Sequence, residues 1–206
     1  LTSCVRQKYV VMDMVHHNPG EAMTESKFLD PSFLKKNEYG AKVFFLFEAA
    51  QFGIDWKSFD PSLFPDTTEA GRWVAEKAEI IHKKYDAAKK EDLQVYCMLD
   101  MLVLPSLLVE KHRTELTNEQ GKLDISKPYT QLCIRELMKE MFETFPQLDG
   151  LVIRTGETYL HDAPYYVGNH PVQNGMYDHI TLINLLREEV CERRNKKLFY
   201  RTWDMG

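Results

Sequence analysis

Five acidic residues stand at or just beyond short apolar runs of this 206-residue chain: Asp13, Glu48, Asp100, Glu157 and Asp204. Two of those runs end in related tetrapeptides, Arg154-Thr155-Gly156-Glu157 and Arg201-Thr202-Trp203-Asp204. On neighbouring parallel strands equal positions lie side by side. The two motifs would then set two carboxylates at one opening, with two guanidinium groups a layer beneath. Buried arginine holds a nearby carboxylate ionised, whereas a dry aromatic wall favours the protonated acid. A protonated acid beside an ionised carboxylate is the working pair of glycoside cleavage. Glu157 is the candidate proton donor and Asp204 the candidate second carboxylate. The simpler alternative is that the arginines only neutralise buried acids.

The residues after Glu157 are polar and aromatic: Tyr159, His161, Asp162, Tyr165, Tyr166, Asn169 and His170. Tyr159, Tyr165, Tyr166 and Trp203 suit stacking on sugar rings, or equally an apolar seal over the opening. His161, Asp162 and His170 offer a metal-dependent hydrolase as an alternative, but neither HExxH on a helix nor HxH on a strand is present. His16 and His17 are adjacent, so on a strand they point to opposite faces. No metal and no cofactor is therefore expected. No Ser or Cys occupies a nucleophile-elbow context, which disfavours a catalytic triad.

The elements that must position these groups alternate along the chain. Lys8 to His16 reads as a strand broken by Asn18-Pro19-Gly20. Asp30-Pro31 opens a short helix that Gly40 stops. Ala41 to Glu48 is a second strand, followed by a long loop, Ala49 to Thr67, that carries Gln51, Asp55, Trp56, Asp60 and Asp66. Loops of that length inside a compact domain are usually functional. Thr68 to Glu91 has helical periodicity. Leu93 to Leu104 is a third strand with Asp100 near its exit from the sheet, its tail turning helical toward Leu107 to Glu110. Pro128 to Phe145 is a helix with an apolar stripe that includes Leu132, Leu137 and Met141. The fourth strand, centred on Leu151-Val152-Ile153, leads into a helix over Tyr177 to Arg194 with Ile180, Ile183 and Leu186 inward. Lys197 to Asp204 is the fifth strand.

Strand and helix in alternation imply a parallel sheet, with chemistry gathered at the carboxyl ends of the strands. No Gly-rich phosphate turn follows the first strand, which counts against a nucleotide-binding sheet. The fold expected is α/β, an incomplete (β/α)8 barrel with about five parallel strands and intervening helices. It forms one domain over residues 1–206, truncated after the fifth strand.

A net charge of −5 argues against a nucleic-acid partner. The densest basic patch, Glu192 to Lys197, falls at a predicted helix end, where cations complement the dipole. Cys4, Cys97, Cys133 and Cys191 form no CxxC pair and read as free thiols. No apolar stretch has the roughly 18 residues of a membrane span. Leu1-Thr2-Ser3-Cys4 has the form of a lipoprotein cleavage box, which would place the protein in the periplasm or outside the cell; otherwise it is expected in the cytoplasm. Nothing in the sequence fixes an oligomeric state.

Three stretches carry a family resemblance: DMVHHNPGE (Asp13 to Glu21), DGLVIRTGETYLHDAPY (Asp149 to Tyr165) and KLFYRTWD (Lys197 to Asp204). Together they resemble bacterial proteins related to α-glucuronidase-type glycoside hydrolases. The resemblance implies a (β/α)8 barrel acting on poly- or oligosaccharide in polysaccharide degradation. It implies that Glu157 is the general acid, that Arg201 helps build the sugar pocket, and that Asn18 beside His17 helps bind the sugar. Asp100, Arg154, Tyr159, His161 and Trp203 complete the expected substrate-binding set. Where the family has Gly-Gln-Pro-Gly after the acid, this chain has Thr158-Tyr159-Leu160-His161, so the resemblance does not imply a uronic acid as the substrate, while Arg154 and Arg201 could order the carboxylates or a sugar acid. The family's water-activating carboxylates lie on later strands, beyond Gly206. The chain alone would then lack the base half of the site and be inactive. The rival from another class is a carbohydrate-binding barrel without turnover.

Overall fold

The structure is a computed structural model that describes residues 12–13, 27–45, 48–156 and 158–202. The main sheet is formed by β1 (Met12–Asp13), β2 (Ala41–Phe44), β3 (Gln94–Asp100), β5 (Leu148–Thr155) and β7 (Lys197–Thr202), paired in that order and all parallel. Neighbours in space are successive main-sheet strands in sequence, so the strand order never reverses. Doubly wound sheets reverse at a switch point, whereas barrels do not.

The two faces of the sheet differ in the same sense. Phe44, Val95, Cys97, Leu99, Leu151 and Ile153 point into the main core. That core is completed by Val74, Ile81 and Tyr85 of α2 (Glu69–Lys90), Ile134, Leu137 and Met141 of α5 (Pro128–Thr144), and Leu182 and Leu186 of α6 (Met176–Leu186). The other face carries Ala41, Val43, Phe45, Tyr96, Met98 and Val152, a cluster to which no helix contributes among the described residues. Helices on one face and, among the described residues, none on the other are the layering of a (β/α)8 arc; an open doubly wound sheet covers both faces with helices.

Local chemistry sets the element boundaries. The side chain of Thr68 caps α2 by accepting from the Gly71 N–H at 3.0 Å, and Pro128 starts α5 at the position where its missing N–H costs nothing. Asp30 caps α1 (Pro31–Lys36). The pairing of β3 and β5 slips by one residue at Val95/Tyr96, and the carboxylate of Asp149 fills the slip by accepting from the Val95 N–H at 2.7 Å and from Lys89 Nζ at 2.5 Å. Next to it, Gly150 lets β7 approach, since a Cβ there would stand 2.1 Å from the Lys197 carbonyl oxygen.

Several expectations need correction. The third strand does not run to Leu104: it ends at Asp100, and Val103–Pro105 forms β4, antiparallel to β6 (Tyr166–Gly168) in a separate two-stranded sheet. The apolar run continues past Asp100 because both segments are buried, so hydrophobicity alone does not mark the break. Two short helices follow, α3 (Ser106–Lys111) and α4 (Arg113–Leu116). The sixth helix buries Leu182, Leu185 and Leu186 and leaves Ile180 exposed, and α5 likewise exposes Leu132. In both helices the apolar stripe is wider than the strip the core covers. The second strand ends at Phe44, ahead of the expected Glu48. Most of the expected first strand lies outside the described residues.

Candidate functional site

The inner face of the sheet ends in a polar row. Asp100 is the register partner of Arg154, and Arg154 that of Arg201, so β3, β5 and β7 carry acid, base and base at one level near their carboxyl ends. Below that row lies an apolar level, with Met98 opposite Val152 and Val152 opposite Phe199. The period-2 alternation of strands requires this: residues two apart share a face.

Asp100 and Arg154 form a buried, bidentate pair. Arg154 Nε donates to one carboxylate oxygen at 2.6 Å and Nη2 to the other at 2.7 Å, with only 5% of Asp100 and 3% of Arg154 exposed. The second oxygen also accepts from the backbone N–H of Tyr159 at 3.0 Å. The guanidinium lies between two rings, 4.5 Å from the centroid of Phe45 and 4.7 Å from that of Tyr159. Planar, weakly hydrated guanidinium tolerates such stacking, whereas a lysine ammonium would not make the fork.

The chain reaches this arrangement through Gly156, whose φ of 94° turns the backbone away from β5 in a conformation that other residues rarely adopt. This gives the Gly of Arg154-Thr155-Gly156-Glu157 a structural reason. Tyr159 then returns over the end of β3.

Beside the pair is a narrow cleft, with room for about one water-sized group, lined by Phe45, Ala49, Gln51, Phe52, Met98, Asp100 and Tyr159. Gln51 comes from the turn Ala50–Gly53 that follows β2. That turn is fixed from both sides: the Ala50 N–H donates to Cys97 Sγ at 3.1 Å, and Tyr166 Oη donates to the Gln51 carbonyl at 3.2 Å. Burial pushes the Cys97 thiol up to about 12 and raises the Tyr166 phenol as well, so both groups stay neutral.

The structure brings together Asp100, Arg154 and Tyr159 from the expected set and places Arg201 at the next register position. His161 is exposed, its ring stacked 6.5 Å from that of Tyr159. Glu157, Asp204, Trp203, His17 and Asn18 lie outside the described residues, as does the side chain of Asp13. Glu48 does not join the row. Its carboxylate is held by Lys84 of α2, and its carbonyl accepts from Tyr85 Oη at 2.8 Å.

Two of the loop aromatics pack into the protein. Tyr166 is buried against Phe52 and Phe64, and Tyr165 packs on Trp73. Asn169 ties the loop to Leu123, accepting from its N–H at 2.7 Å and donating to its carbonyl at 3.1 Å. His170 Nδ1 accepts from the Val172 N–H at 3.0 Å. Among the described residues no three His, Cys, Asp or Glu side chains are grouped so as to hold a metal ion, and no helix is long and apolar enough to cross a membrane.

Sequence reasoning missed Phe45 and Met98 as members of the site, and named Gln51 only among the polar residues of the long loop Ala49 to Thr67. Alternation along β2 and β3 places Phe45 and Met98 on the face of Asp100, a usable signal. Gln51 offered only its presence as a lone amide in the apolar run Ala49 to Ile54.

No protein-family model matches the chain, and no curated protein matches it. Solved structures are similar to it in part. A noncanonic maltogenic α-amylase, AmyB from Thermotoga neapolitana, aligns at 13% identity and TM-score 0.47 over 84% of this chain and 39% of its own. The galactosidase domain of the α-galactosidase-sucrose kinase AgaSK aligns at 12% identity and TM-score 0.48, over 84% of this chain and 24% of its own. The β-glucosidase from Trichoderma harzianum aligns at 10% identity and TM-score 0.42, over 83% of this chain and 34% of its own. The chain thus spans well under half the length of each of these glycoside-cleaving proteins.

Proposed function

We propose that the opening at the carboxyl ends of β2, β3, β5 and β7 is a saccharide site of a glycoside hydrolase acting on poly- or oligosaccharide. In this reading Glu157 protonates the leaving oxygen and Asp204 is the second carboxylate; Arg201, Tyr159, His161 and Trp203 contact the sugar, with Asn18 and His17 contributing from the loop after the first strand. The observation that carries the reading is the row Asp100, Arg154, Arg201, in register on three adjacent parallel strands beside an aromatic-walled cleft. Polar groups concentrated at that end of a parallel sheet are where (β/α)8 enzymes do chemistry. The buried Asp100–Arg154 pair orients the Tyr159 backbone, two residues beyond the proposed donor. Both residues then act by positioning, with Asp100 shaping the sugar-facing wall.

The test compares the full-length protein with Glu157→Ala and Glu157→Gln on aryl glycosides and xylan oligosaccharides. A general acid contributes roughly 10²–10⁴-fold, so kcat falls by at least about 100-fold in both variants. Turnover equal to the parent removes Glu157 from the mechanism. The rival reading is a carbohydrate-binding barrel without turnover. That reading predicts saccharide binding with no hydrolysis by the parent protein.

A further inference from the structure

Asp149-Gly150 and Asn174-Gly175 each set a side-chain carbonyl directly before a glycine. At such a pair the glycine nitrogen can attack the preceding side-chain carbonyl carbon, because no Cβ hinders its approach. The fold separates the two. Gly150 lies inside β5, in register with Tyr96 on one side and Lys197 on the other, and the Asp149 carboxylate is committed to the Val95 N–H and to Lys89. Asn174 and Gly175 are both exposed, in the turn that leads into α6. A Cβ on Gly175 would meet nothing within 4 Å, and the Gly175 N–H donates no hydrogen bond among the described residues. The Asn174 amide is loosely held: its Nδ2 stands 3.3 and 3.4 Å from the two oxygens of Asp178, beyond the usual range of such bonds. Asp178 itself is buried and holds the turn, accepting from the backbone N–H of Gln173 at 2.7 Å and of Asn174 at 2.8 Å.

We infer that Asn174-Gly175 is a self-modification site that converts to aspartate or isoaspartate through a cyclic imide, and that conversion releases the turn held by Asp178. The Gly175 nitrogen loses its proton to hydroxide or buffer base and attacks Asn174 Cγ. The new C–N bond closes the imide ring as the Cγ–Nδ2 bond breaks, and ammonia leaves with a proton taken from water. Water then adds to either ring carbonyl and opens the imide. Breaking the ring bond at Cγ gives aspartate, and breaking it at the main-chain carbonyl gives isoaspartate. The sum consumes a water, releases an ammonia and needs no oxidant or reductant. The product carries a carboxylate where an amide had faced Asp178, and two carboxylates so close disfavour each other's ionised form. Isoaspartate also inserts a methylene into the main chain between residues 174 and 175. Either product therefore weakens the grip of Asp178 on the Gln173 and Asn174 N–H groups.

The experiment incubates the full-length protein in mildly alkaline buffer and follows each asparagine by peptide mass spectrometry, with isoaspartate assigned by electron-transfer fragmentation. Asn174 is expected to convert at least about tenfold faster than Asn37, Asn118, Asn184 or Asn195, a margin that takes only about 1.4 kcal/mol of barrier. Its rate rises with pH, since the attacking nitrogen must lose a proton, while Asp149 forms isoaspartate only in denaturant. Hydrogen exchange on the converted protein and on Asn174→Asp then shows faster exchange than the parent at residues 173 and 174, with β5 unchanged as the sign of an intact fold. The inference is overturned if Asn174 converts no faster than the other asparagines, or if Asp149 keeps pace with it in the folded protein. It is also overturned if folded, converted protein keeps the parent's protection at residues 173 and 174. None of these readouts depends on saccharide binding or on Glu157, so failure of the proposed function leaves them standing.

Discussion

Arg154 reaches from β5 to Asp100 on β3 through two parallel hydrogen bonds of 2.6 and 2.7 Å, and the pair is sealed between the rings of Phe45 and Tyr159. Charge and counter-charge are both withdrawn from water, so each depends on the other. Removing one partner leaves an uncompensated buried charge, at about 3–5 kcal/mol, whereas replacing both by apolar residues is far milder. Arg154→Met is therefore expected to lose about 3–5 kcal/mol in urea unfolding, and Asp100→Leu/Arg154→Met to lose clearly less than the sum of the single changes. Additive losses would show that the two side chains do not act as a unit.

Gly150 supports the same row from below, because its missing side chain is what lets β7 sit against β5. Gly150→Ala puts a methyl 2.1 Å from a backbone oxygen, which neither strand can relieve by a rotamer change. The expected outcome is a loss of at least about 2 kcal/mol, in the range of core overpacking, together with faster amide exchange along β7 than along β3. A variant with parent stability and unchanged exchange would contradict the close approach.

Acid should weaken a tether on the outer side of the molecule. The hydrogen bond from Lys111, with help from Ser62, holds the Asp60 carboxyl down at about 2 against an ordinary value of 3.8. The folded value is depressed, so the stabilisation is fully present above 3.8 and is lost as the pH falls through 2. The pair is partly exposed, which limits its contribution to about 1 kcal/mol. Asp60→Asn should melt below the parent at pH 7, and the gap should close as the pH approaches 2.

Burial pushes the thiols of Cys97 and Cys133 up to about 12. At pH 8 almost none of either is thiolate, and thiolate is the form that alkylates. Native protein treated with iodoacetamide should therefore remain unmodified at both positions by peptide mass spectrometry, while protein in denaturant is modified at both. Labelling of Cys97 in the native state would mean that the turn carrying Gln51 opens.

The sequence by itself determined the order of the main-sheet strands and the longer helices, but not β4 and β6, since periodicities of 2 and 3.6 are local and survive without knowledge of partners. It also determined that Arg154 stands near a strand end, because it follows an apolar run that stops. It placed Asp100 near the exit of the third strand but carried the strand on to Leu104, because the apolar run continues into β4, and it could not see that Ile180 and Leu132 face outward from helices whose apolar stripes exceed the core.

Only the tertiary structure decided which acid Arg154 meets. That choice depends on the register between β3 and β5, shifted by one residue at Val95/Tyr96, and a one-residue slip would turn the side chain to the opposite face. Likewise an amide in an apolar stretch is unremarkable in the sequence. Gln51 acquires meaning only once its neighbours in space, drawn from β3, the end of β2 and the loop after β5, leave its oxygen buried and without a donor among the described residues.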